Sequence, residues 1–294
     1  MEDISLMGEL PSGSRYYAVF DGHGGEEVAI FAARNLFHFL QNLDSPPSTE
    51  QIAHAFALTD GRLQTHGEEL INCARNPKKK RSPSHSMQML EMRRDYPEMP
   101  LMEINSRLIA RDTGAVASVA FVHDLKLTVA TLGDCQAFVA RRDPDGNLLA
   151  IDLQSRIHQL GDIEESSRVR EAGLEVSGDP LRIQGSLAVS RAIGDLRFKL
   201  QARDGAFLPA HMQPVSIVPE IFELDITEDD EYVFLGCDGI FEMMSPQQIV
   251  DHLSAAPDDL CSLLDACIAT DSRSILGKDN MTAVLAHLTP VQCE

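Results

Sequence analysis

The sequence of 294 residues predicts an α+β domain built in layers, on two observations. From residue 115 onward, short apolar stretches typical of buried strands follow one another with turn residues between them. Segments with helical spacing stand in groups between these strands rather than alternating with them one by one. The length allows a substantial core, and we expect one domain over residues 1–294 with a surface insertion at about 72–105.

The first half of the chain is predicted to begin with a strand followed by two helices. The strand is the apolar run 16–20, which leads into Asp21-Gly22. Residues 25–40 have two glutamates at their start and an apolar stripe at helical spacing, and helical spacing returns over 49–69. The insertion contains a basic run at 78–81. Such a run is most often a solvated loop, and the alternative is a nuclear-import signal.

The second half is predicted to contain an antiparallel meander. Strands over 116–122 and 126–132 join at His123-Asp124, and residues 137–141 continue the meander with 143–147 as its next turn. Further elements are predicted as follows: a helix at 163–172 stopped by Gly173, a strand at 231–236, a helix with Ser245 as N-cap and Pro246 in first position, a helix at 258–269 and a strand at 281–288.

Composition excludes some functions and sets the expected compartment. The formal charge of −20 argues against nucleic acid as a partner, because phosphates would be repelled. No apolar stretch approaches the roughly 20 residues of a membrane span, so no membrane association is expected, and no signal peptide precedes the first strand. The six cysteines show no CxxC spacing and are expected to be reduced, mostly buried thiols of a cytoplasmic and/or nuclear protein.

Carboxylates recur at the ends of the predicted strands. A single Asp-Gly pair is most often only a turn, but several together suggest a metal site lined by oxygen. Each like-charged pair at about 4 Å costs roughly 4 kcal/mol at an effective dielectric of 20, so a cluster requires cations or raised pKa values. All-oxygen ligands favour Mg²⁺ or Mn²⁺ over zinc, and two such ions activate a water and bind a phosphoryl oxygen. The candidates are Glu2, Asp3, Asp21, Asp134, Asp238 and Asp279.

Six motifs occur in an order that resembles one family, the metal-dependent serine/threonine protein phosphatases of type 2C, also called the PPM family. The resemblance extends over most of the chain, with a gap across the insertion. The motifs are MED at 1–3, VFDGHGG at 19–25, LGDCQA at 132–137, GSLAVSRAIGD at 185–195, CDGIFEMMS at 237–245 and GKDNMTAV at 277–284. One of them alone would be weak, but six in order are highly specific.

The resemblance implies roles for individual residues. Asp21 resembles the carboxylate that bridges two metal ions, Gly22 the residue whose backbone oxygen is a ligand, and His23 the general acid that protonates the departing oxygen. Asp238 and Asp279 match the acids of the first ion, and Glu2 an acid that reaches the second through water. Asp134 and Glu242 fall where the family holds a weaker third ion. Arg191 and Asp195 resemble a structural scaffold beside the site.

The resemblance also implies a fold and a reaction. The expected fold is a four-layer α-β-β-α sandwich with two central antiparallel sheets and the ions in a cleft at one edge. Two Mn²⁺ or Mg²⁺ ions would activate the water that hydrolyses phosphoserine or phosphothreonine, so the implied partners are phosphoprotein substrates. Residues 199–214 would be the variable flap that meets substrate, and the chain would be a monomer.

Departures from the family pattern leave two alternatives open. The family usually has an arginine four residues before the glutamate of the MED motif, and that position and the edge strand before it are not in this sequence. Glu242 stands where an aspartate is usual, and only His158 remains of the DHKP element. A pseudophosphatase that binds partners without hydrolysis is therefore a second hypothesis. A hydrolase of other phosphomonoesters is a weaker third.

Overall fold

A computed structural model describes residues 2–75, 110, 113–199, 208–269 and 277–288, without the side chains of residues 64–75. The predicted insertion at about 72–105 lies almost entirely outside these residues, and its first positions, 72–75, still belong to a helix. No helix in the described part is long and apolar enough to cross a membrane. The four described cysteines outside that helix are free thiols, three of them buried.

The first of two central sheets is antiparallel and has the order β1-β2-β3-β4-β10, with the short strand β9 paired to β3. Its central strands β2 and β3 are buried on both faces: Ala18 and Phe20 belong to one apolar cluster, and Val19 between them belongs to the other. The strands are β1 (Ile4–Glu9), β2 (Arg15–His23), β3 (Gly114–His123), β4 (Lys126–Leu132), β9 (Ile193–Gly194) and β10 (Glu220–Asp225).

The second sheet has the order β12-β11-β5-β6 and is also antiparallel. Val116 of the first sheet shares one apolar core with Phe138 and Phe234 of the second, so the two sheets pack face to face. The strands are β5 (Gln136–Arg142), β6 (Leu148–Asp152), β11 (Asp230–Gly236) and β12 (Ala283–His287), and a separate hairpin pairs β7 (Val176–Ser177) with β8 (Arg182–Ile183).

Helices cover the outer faces of both sheets, which completes the four layers of the expected sandwich. Helices α1 and α2 pack on the first sheet through Phe31 and Phe56, and α5 and α6 pack on the second through Ile249 and Leu263. Their bounds, with the two helices that lie between them, are α1 (Glu27–Asn35), α2 (Thr49–Arg75), α3 (Ile163–Glu171), α4 (Asp238–Phe241), α5 (Pro246–Ala255) and α6 (Leu260–Cys267).

Local sequence signals at helix ends are confirmed. Ser245 caps α5 in a capping box with Gln248, and Pro246 stands in its first position. Gly173 follows α3 with a φ of 83°, a conformation that glycine adopts without strain. The predicted helix over 25–40 is instead split, because α1 ends at Asn35 and a 3₁₀ turn occupies Phe37–Leu40.

The predicted meander is wrong at its third strand. β5 pairs with β11 and β6 in the second sheet and has no pairing with β4. The chain leaves the first sheet at Gly133, whose φ is 86° and where a Cβ would overlap the Val116 side chain. Two edge strands, β1 and β10, had not been predicted, because their alternating or mostly exposed residues carry no continuous apolar run.

Candidate metal centre

One open cleft of about 410 Å³ is lined by residues of the first sheet and by residues that follow β11 and precede β12 of the second. Six carboxylates from separate parts of the sequence line it, together with a histidine and two arginines. The charged lining residues are Glu2, Asp21, His23, Asp134, Arg182, Asp195, Arg197, Asp238 and Asp279. The structure therefore brings together at this cleft the expected positions Glu2, Asp21, Gly22, His23, Asp134, Asp238 and Asp279. The further candidate Asp3 is buried and is not among the lining residues.

The end of β2 positions Asp21 and His23. The strand continues through both residues, paired with Val116 and Gly114 of β3, so the turn begins only at Gly24, whose φ is 73°. The strand predicted over 16–20 therefore extends three residues further, to His23. At Gly22 a Cβ would lie 2.6 Å from the backbone oxygen of Glu2, so the absence of a side chain lets the first residues approach β2.

Asp238 and Asp279 are held together by the packing of two loops. Asp238 begins the short helix α4 directly after β11, and a Cβ on the next residue, Gly239, would overlap the backbone oxygen of Asn280. The Cys237 amide donates a hydrogen bond to the Thr282 carbonyl at 3.2 Å. Close backbone contact between the α4 start and the loop before β12 thus brings the two aspartates to the same cleft.

A buried histidine fixes the loop that carries Asp134. His158 Nδ1 accepts a hydrogen bond from the Gly133 amide at 3.2 Å, and the His158 amide donates to the Gly133 carbonyl at 3.1 Å. Burial and the charge of Arg191 lower the pKa of His158 to about 4, which keeps its ring neutral and able to accept. His158 is thus a structural residue, and Asp134 is 6% exposed at the cleft.

The carboxylates of the cleft strongly disfavour one another's ionisation. Burial, reinforced by the charges of Asp3 and Asp238, raises the pKa of Asp21 to about 10. Burial and Asp238 raise the pKa of Asp134 to about 7. Burial also raises the pKa of Asp238, with Asp279 adding to the shift. Without compensating positive charge, the protein accommodates this cluster by retaining protons.

The donor set fits a hard divalent cation. Both carboxylate oxygens of Asp3 and Oδ1 of Asp238 are buried and accept no hydrogen bond from the described residues. Asp21, Cys237 and Asp238 each place one donor atom within 4.8 Å of the others. Burial and the charge of Asp3 raise the pKa of the Cys237 thiol far above its usual range, so the sulfur stays protonated and the carboxylates remain as ligands.

His23 is oriented by Asp195. A hydrogen bond of 2.6 Å joins His23 Nε2 to Asp195 Oδ2, and Asp195 is 2% exposed. Burial alone would lower the pKa of His23, but the charge of Asp195 and its hydrogen bond raise that pKa above its usual value. Asp195 is therefore more than a scaffold beside the site, because it sets the orientation and charge of the ring.

Arg191 has the structural contacts that were expected of it. Its guanidinium contacts the buried carboxylate of Glu165, with Nη2 2.6 Å from Oε1, and Nη1 donates to the Val218 carbonyl at 2.9 Å. Arg168 shares the same carboxylate, with Nη2 2.7 Å from Oε2. Glu242 differs from the expectation for a third-ion ligand, because its side chain is exposed and is not among the residues that line the cleft.

Two features of the site had no local signal in the sequence. One is the pair of cleft arginines, Arg182 and Arg197, which lie outside both the motif at 185–195 and the predicted flap at 199–214. The other is a fully buried ion pair, Lys199 with Asp60, whose Nζ and Oδ1 atoms are 2.8 Å apart. Asp60 also accepts from the Gly194 amide at 2.8 Å, next to Asp195.

Known proteins share both the sequence pattern and the fold. The family model "Protein phosphatase 2C" matches residues 4–274. "Probable protein phosphatase 2C 5" of Paramecium tetraurelia is 33% identical over 97% of this chain and 87% of its own length. "Probable protein phosphatase 2C 21" of Arabidopsis thaliana is 30% identical over 98% and 82%.

A solved phosphatase structure from Toxoplasma gondii has the same fold. It covers 97% of this chain and 92% of its own, at a TM-score of 0.65 and 20% identity. At that identity the likeness shows the fold alone, and it agrees with the four layers and two antiparallel sheets described above. The family model, the relatives and the fold indicate the same family as the six motifs. This chain therefore belongs to the protein phosphatase 2C family of phosphoprotein phosphatases.

Proposed function

We propose that this chain is an active protein phosphatase that hydrolyses phosphoserine or phosphothreonine with the help of two divalent cations, Mn²⁺ or Mg²⁺. The observation that carries the proposal is the convergence in one cleft of five carboxylates besides Asp195, where the pKa of Asp21 rises to about 10 without a cation. A protein gains little from such a cluster unless cations neutralise it, because each close like-charged pair opposes folding.

Asp21 would bridge the two ions, with the Gly22 carbonyl as a further ligand. Asp238 and Asp279 would complete the shell of the first ion, and Glu2 would reach the second. Asp134 would contribute to a third, weaker ion, for which the exposed Glu242 is a less suitable partner. When bound, the ions would supply a water of lowered pKa and positive charge for the phosphoryl oxygens.

His23 would hold the proton for the leaving serine or threonine oxygen. Its raised pKa favours the protonated ring, and Asp195 occupies Nε2, so the proton available to a substrate is the one on Nδ1. Asp195 would keep the ring in this orientation and stabilise its charge. The chain's own contribution is thus a set of oxygen ligands, an oriented acid and a cleft open to a peptide.

A pseudophosphatase remains the second hypothesis. Glu242 lies outside the cleft, so the proposed third-ion site lacks one of its two expected carboxylates, and this favours the second hypothesis. Substrates are proposed to be phosphoproteins, in the cytoplasm and/or nucleus, bound by one monomeric domain over residues 1–294. Binding and hydrolysis are separable in a single assay series, which makes the two hypotheses distinguishable.

Hydrolysis of a phosphothreonine peptide by the purified chain, with Mn²⁺ and again with EDTA, tests the proposal. We expect manganese-dependent phosphate release that falls by about a hundredfold or more in Asp238→Asn. The matched control is Asp145→Asn, which removes one carboxylate from the exposed turn after β5. Manganese binding by calorimetry without release from any substrate would favour the pseudophosphatase, and full activity of Asp238→Asn would contradict the metal assignment.

A further inference from the structure

Lys199 and Asp60 form a buried ion pair to which the proposed reaction gives no role. Neither side chain has any exposed surface, and Nζ lies 2.8 Å from Oδ1. Asp60 belongs to α2, and Lys199 ends the 3₁₀ turn Leu196–Lys199. Removing two charges from water costs about as much as their attraction returns, so an apolar pair of similar volume is often equally stable. What the pair positions therefore explains it better than stability alone.

The ion pair contacts the segment that leads to Asp195 at two points. Lys199 Nζ donates a hydrogen bond to the Ala192 carbonyl at 2.8 Å. Asp60 Oδ1 accepts a hydrogen bond from the Gly194 amide, also at 2.8 Å. The segment contains the short strand β9, which pairs with β3. The residues immediately before Asp195 are therefore fixed to α2 as well as to the first sheet.

The backbone of Asp195 depends on such contacts because it is strained. Its φ is 49°, in the left-handed region that residues with a side chain adopt only at a cost in energy. Conformations of this kind persist where the surrounding structure holds them in place. The Asp195 amide donates to the Thr113 carbonyl at 2.8 Å, and the Asp195 carbonyl accepts from the Phe198 amide at 2.9 Å. Together with the bond from Gly194 to Asp60, these contacts hold the chain on both sides of the strained residue.

The conformation of Asp195 in turn determines where the His23 ring lies. Asp195 Oδ2 is 2.6 Å from His23 Nε2, and the aspartate is almost completely buried. A displacement of the backbone at Gly194 would move this carboxylate and the ring bonded to it. Misplacing a catalytic group by about 1 Å costs roughly a hundredfold in rate. The buried ion pair is thus linked to the proposed acid through one short stretch of chain and one hydrogen bond.

We propose that Asp60 and Lys199 are positioning residues, which hold the strained backbone at Asp195 and thereby orient His23 toward the leaving oxygen of the substrate. This inference rests on the proposed phosphatase function. As the bond between phosphorus and the serine or threonine oxygen breaks, the proton on His23 Nδ1 passes to that oxygen. p-Nitrophenyl phosphate instead releases a phenolate that is stable as an anion, so its hydrolysis depends little on this proton. Loss of positioning should therefore affect the two kinds of substrate unequally.

The double variant Asp60→Leu with Lys199→Met tests the inference, because it removes both charges together and leaves no unpaired buried ion. Hydrolysis of a phosphothreonine peptide and of p-nitrophenyl phosphate is measured with Mn²⁺, and folding is checked by urea denaturation. We expect kcat for the peptide to fall about 10- to 100-fold with little change in KM, and kcat for p-nitrophenyl phosphate to stay within about threefold. Asp60→Asn with Lys199→Met keeps an oxygen acceptor for the Gly194 amide and should restore part of the peptide rate.

A second ion pair provides the matched control. Arg141 Nε lies 2.6 Å from Oδ1 of the fully buried Asp230, which begins β11 at the end opposite to Asp238. Arg141→Met with Asp230→Leu should leave the ratio of the two kcat values unchanged. Proton NMR with Mg²⁺ adds a measurement that needs no activity: the proton between His23 Nε2 and Asp195, identified by its loss in His23→Gln, should give a downfield signal. We expect this signal to disappear in Asp60→Leu with Lys199→Met and to remain in the control.

Each outcome has a defined meaning. An unchanged peptide kcat in both Asp60 double variants would overturn the inference. An equal loss for the peptide and for p-nitrophenyl phosphate would also overturn it, because the ion pair would then support the cleft as a whole. Should the Leu–Met variant fail to fold, the Asn–Met variant decides by the same ratio. If the unaltered protein hydrolyses neither substrate, the proposed function fails, and the NMR signal alone decides: its persistence in the folded double variants would refute positioning.

Discussion

Replacement of Asp21 by Asn is expected to stabilise the protein in the absence of metal. Burial and the neighbouring carboxylates raise the pKa of Asp21 from 3.8 to about 10, so near pH 7 the folded protein holds this group protonated while the unfolded chain ionises it. Each pH unit above 3.8 then costs the folded state about 1.4 kcal/mol, or roughly 4 kcal/mol near neutral pH. Asn imitates the protonated acid and avoids this cost.

The sign follows from the direction of the shift. Because the pKa is raised on folding, the contribution of Asp21 to the stability of unaltered, metal-free protein is most favourable below pH 3.8 and becomes less favourable as the pH rises toward 10. The advantage of Asp21→Asn should therefore be near zero at about pH 4 and grow through neutrality. Added Mn²⁺ narrows this difference: at 100 times its Kd a ligand stabilises the native state by about 2.7 kcal/mol, a gain that the variant loses and that offsets more than half of its advantage near neutral pH.

Urea denaturation with EDTA at several pH values, and again with Mn²⁺, measures these differences. Asp145→Asn, in the exposed turn between β5 and β6, controls for the loss of one negative charge. The reasoning would be refuted if Asp21→Asn were less stable than unaltered protein in EDTA at neutral pH. It would also fail if Mn²⁺ stabilised the variant as much as the unaltered chain.

Three further predictions concern residues around the cleft. Lys199→Met removes the buried ammonium 2.8 Å from Asp60 Oδ1 and should lower the free energy of unfolding by about 3–5 kcal/mol in urea; an unchanged free energy of unfolding would contradict a stabilising role for this ion pair. Glu165→Gln should lower the free energy of unfolding by about 2–4 kcal/mol near neutral pH, because two arginines hold the pKa of Glu165 well below 4.5 despite its burial. The difference in stability between the variant and the unaltered protein should shrink as the pH falls below 4.5, and a difference that stays constant with pH would contradict this linkage. Gly114→Ala places a Cβ against the Asp195 carboxylate and 2.5 Å from His23 Nε2, so kcat should fall about 10- to 100-fold while Mn²⁺ still stabilises the fold; an unchanged kcat would argue against His23 as the acid.

Helix ends and most of the inner strands could be predicted because their causes are local. Ser245 and Pro246 need only their own helix to act as cap and first residue, and the runs at β3 and β4 are apolar because both faces of those strands are covered. The carboxylates at strand ends could be predicted for the same reason. Their residue types and their place after apolar runs are visible in the chain itself.

The point at which the chain crosses from the first sheet to the second could not be predicted from the local sequence. β4 and β5 are separated by three residues and look like a hairpin, yet Gly133 turns the chain into the second sheet, because a positive φ and contact with Val116 leave no room for a side chain. β1 and β10 escaped prediction because an edge strand buries only part of its surface and needs no continuous apolar run.

For the site, the sequence alone determined the set of chemical groups: the carboxylates that are candidate oxygen ligands, at Glu2, Asp21, Asp134, Asp238 and Asp279, and the imidazole of His23 beside them. Tertiary structure alone decided which groups touch. Asp195, 172 positions away, orients His23, and the carboxylates come close enough to raise the pKa of Asp21. It also decided that Asp60 and Lys199, 139 positions apart, meet in a buried ion pair. Residue type is a local property of the sequence. The distances between side chains, their burial and the electrostatic field at each charged group arise only when remote segments pack together.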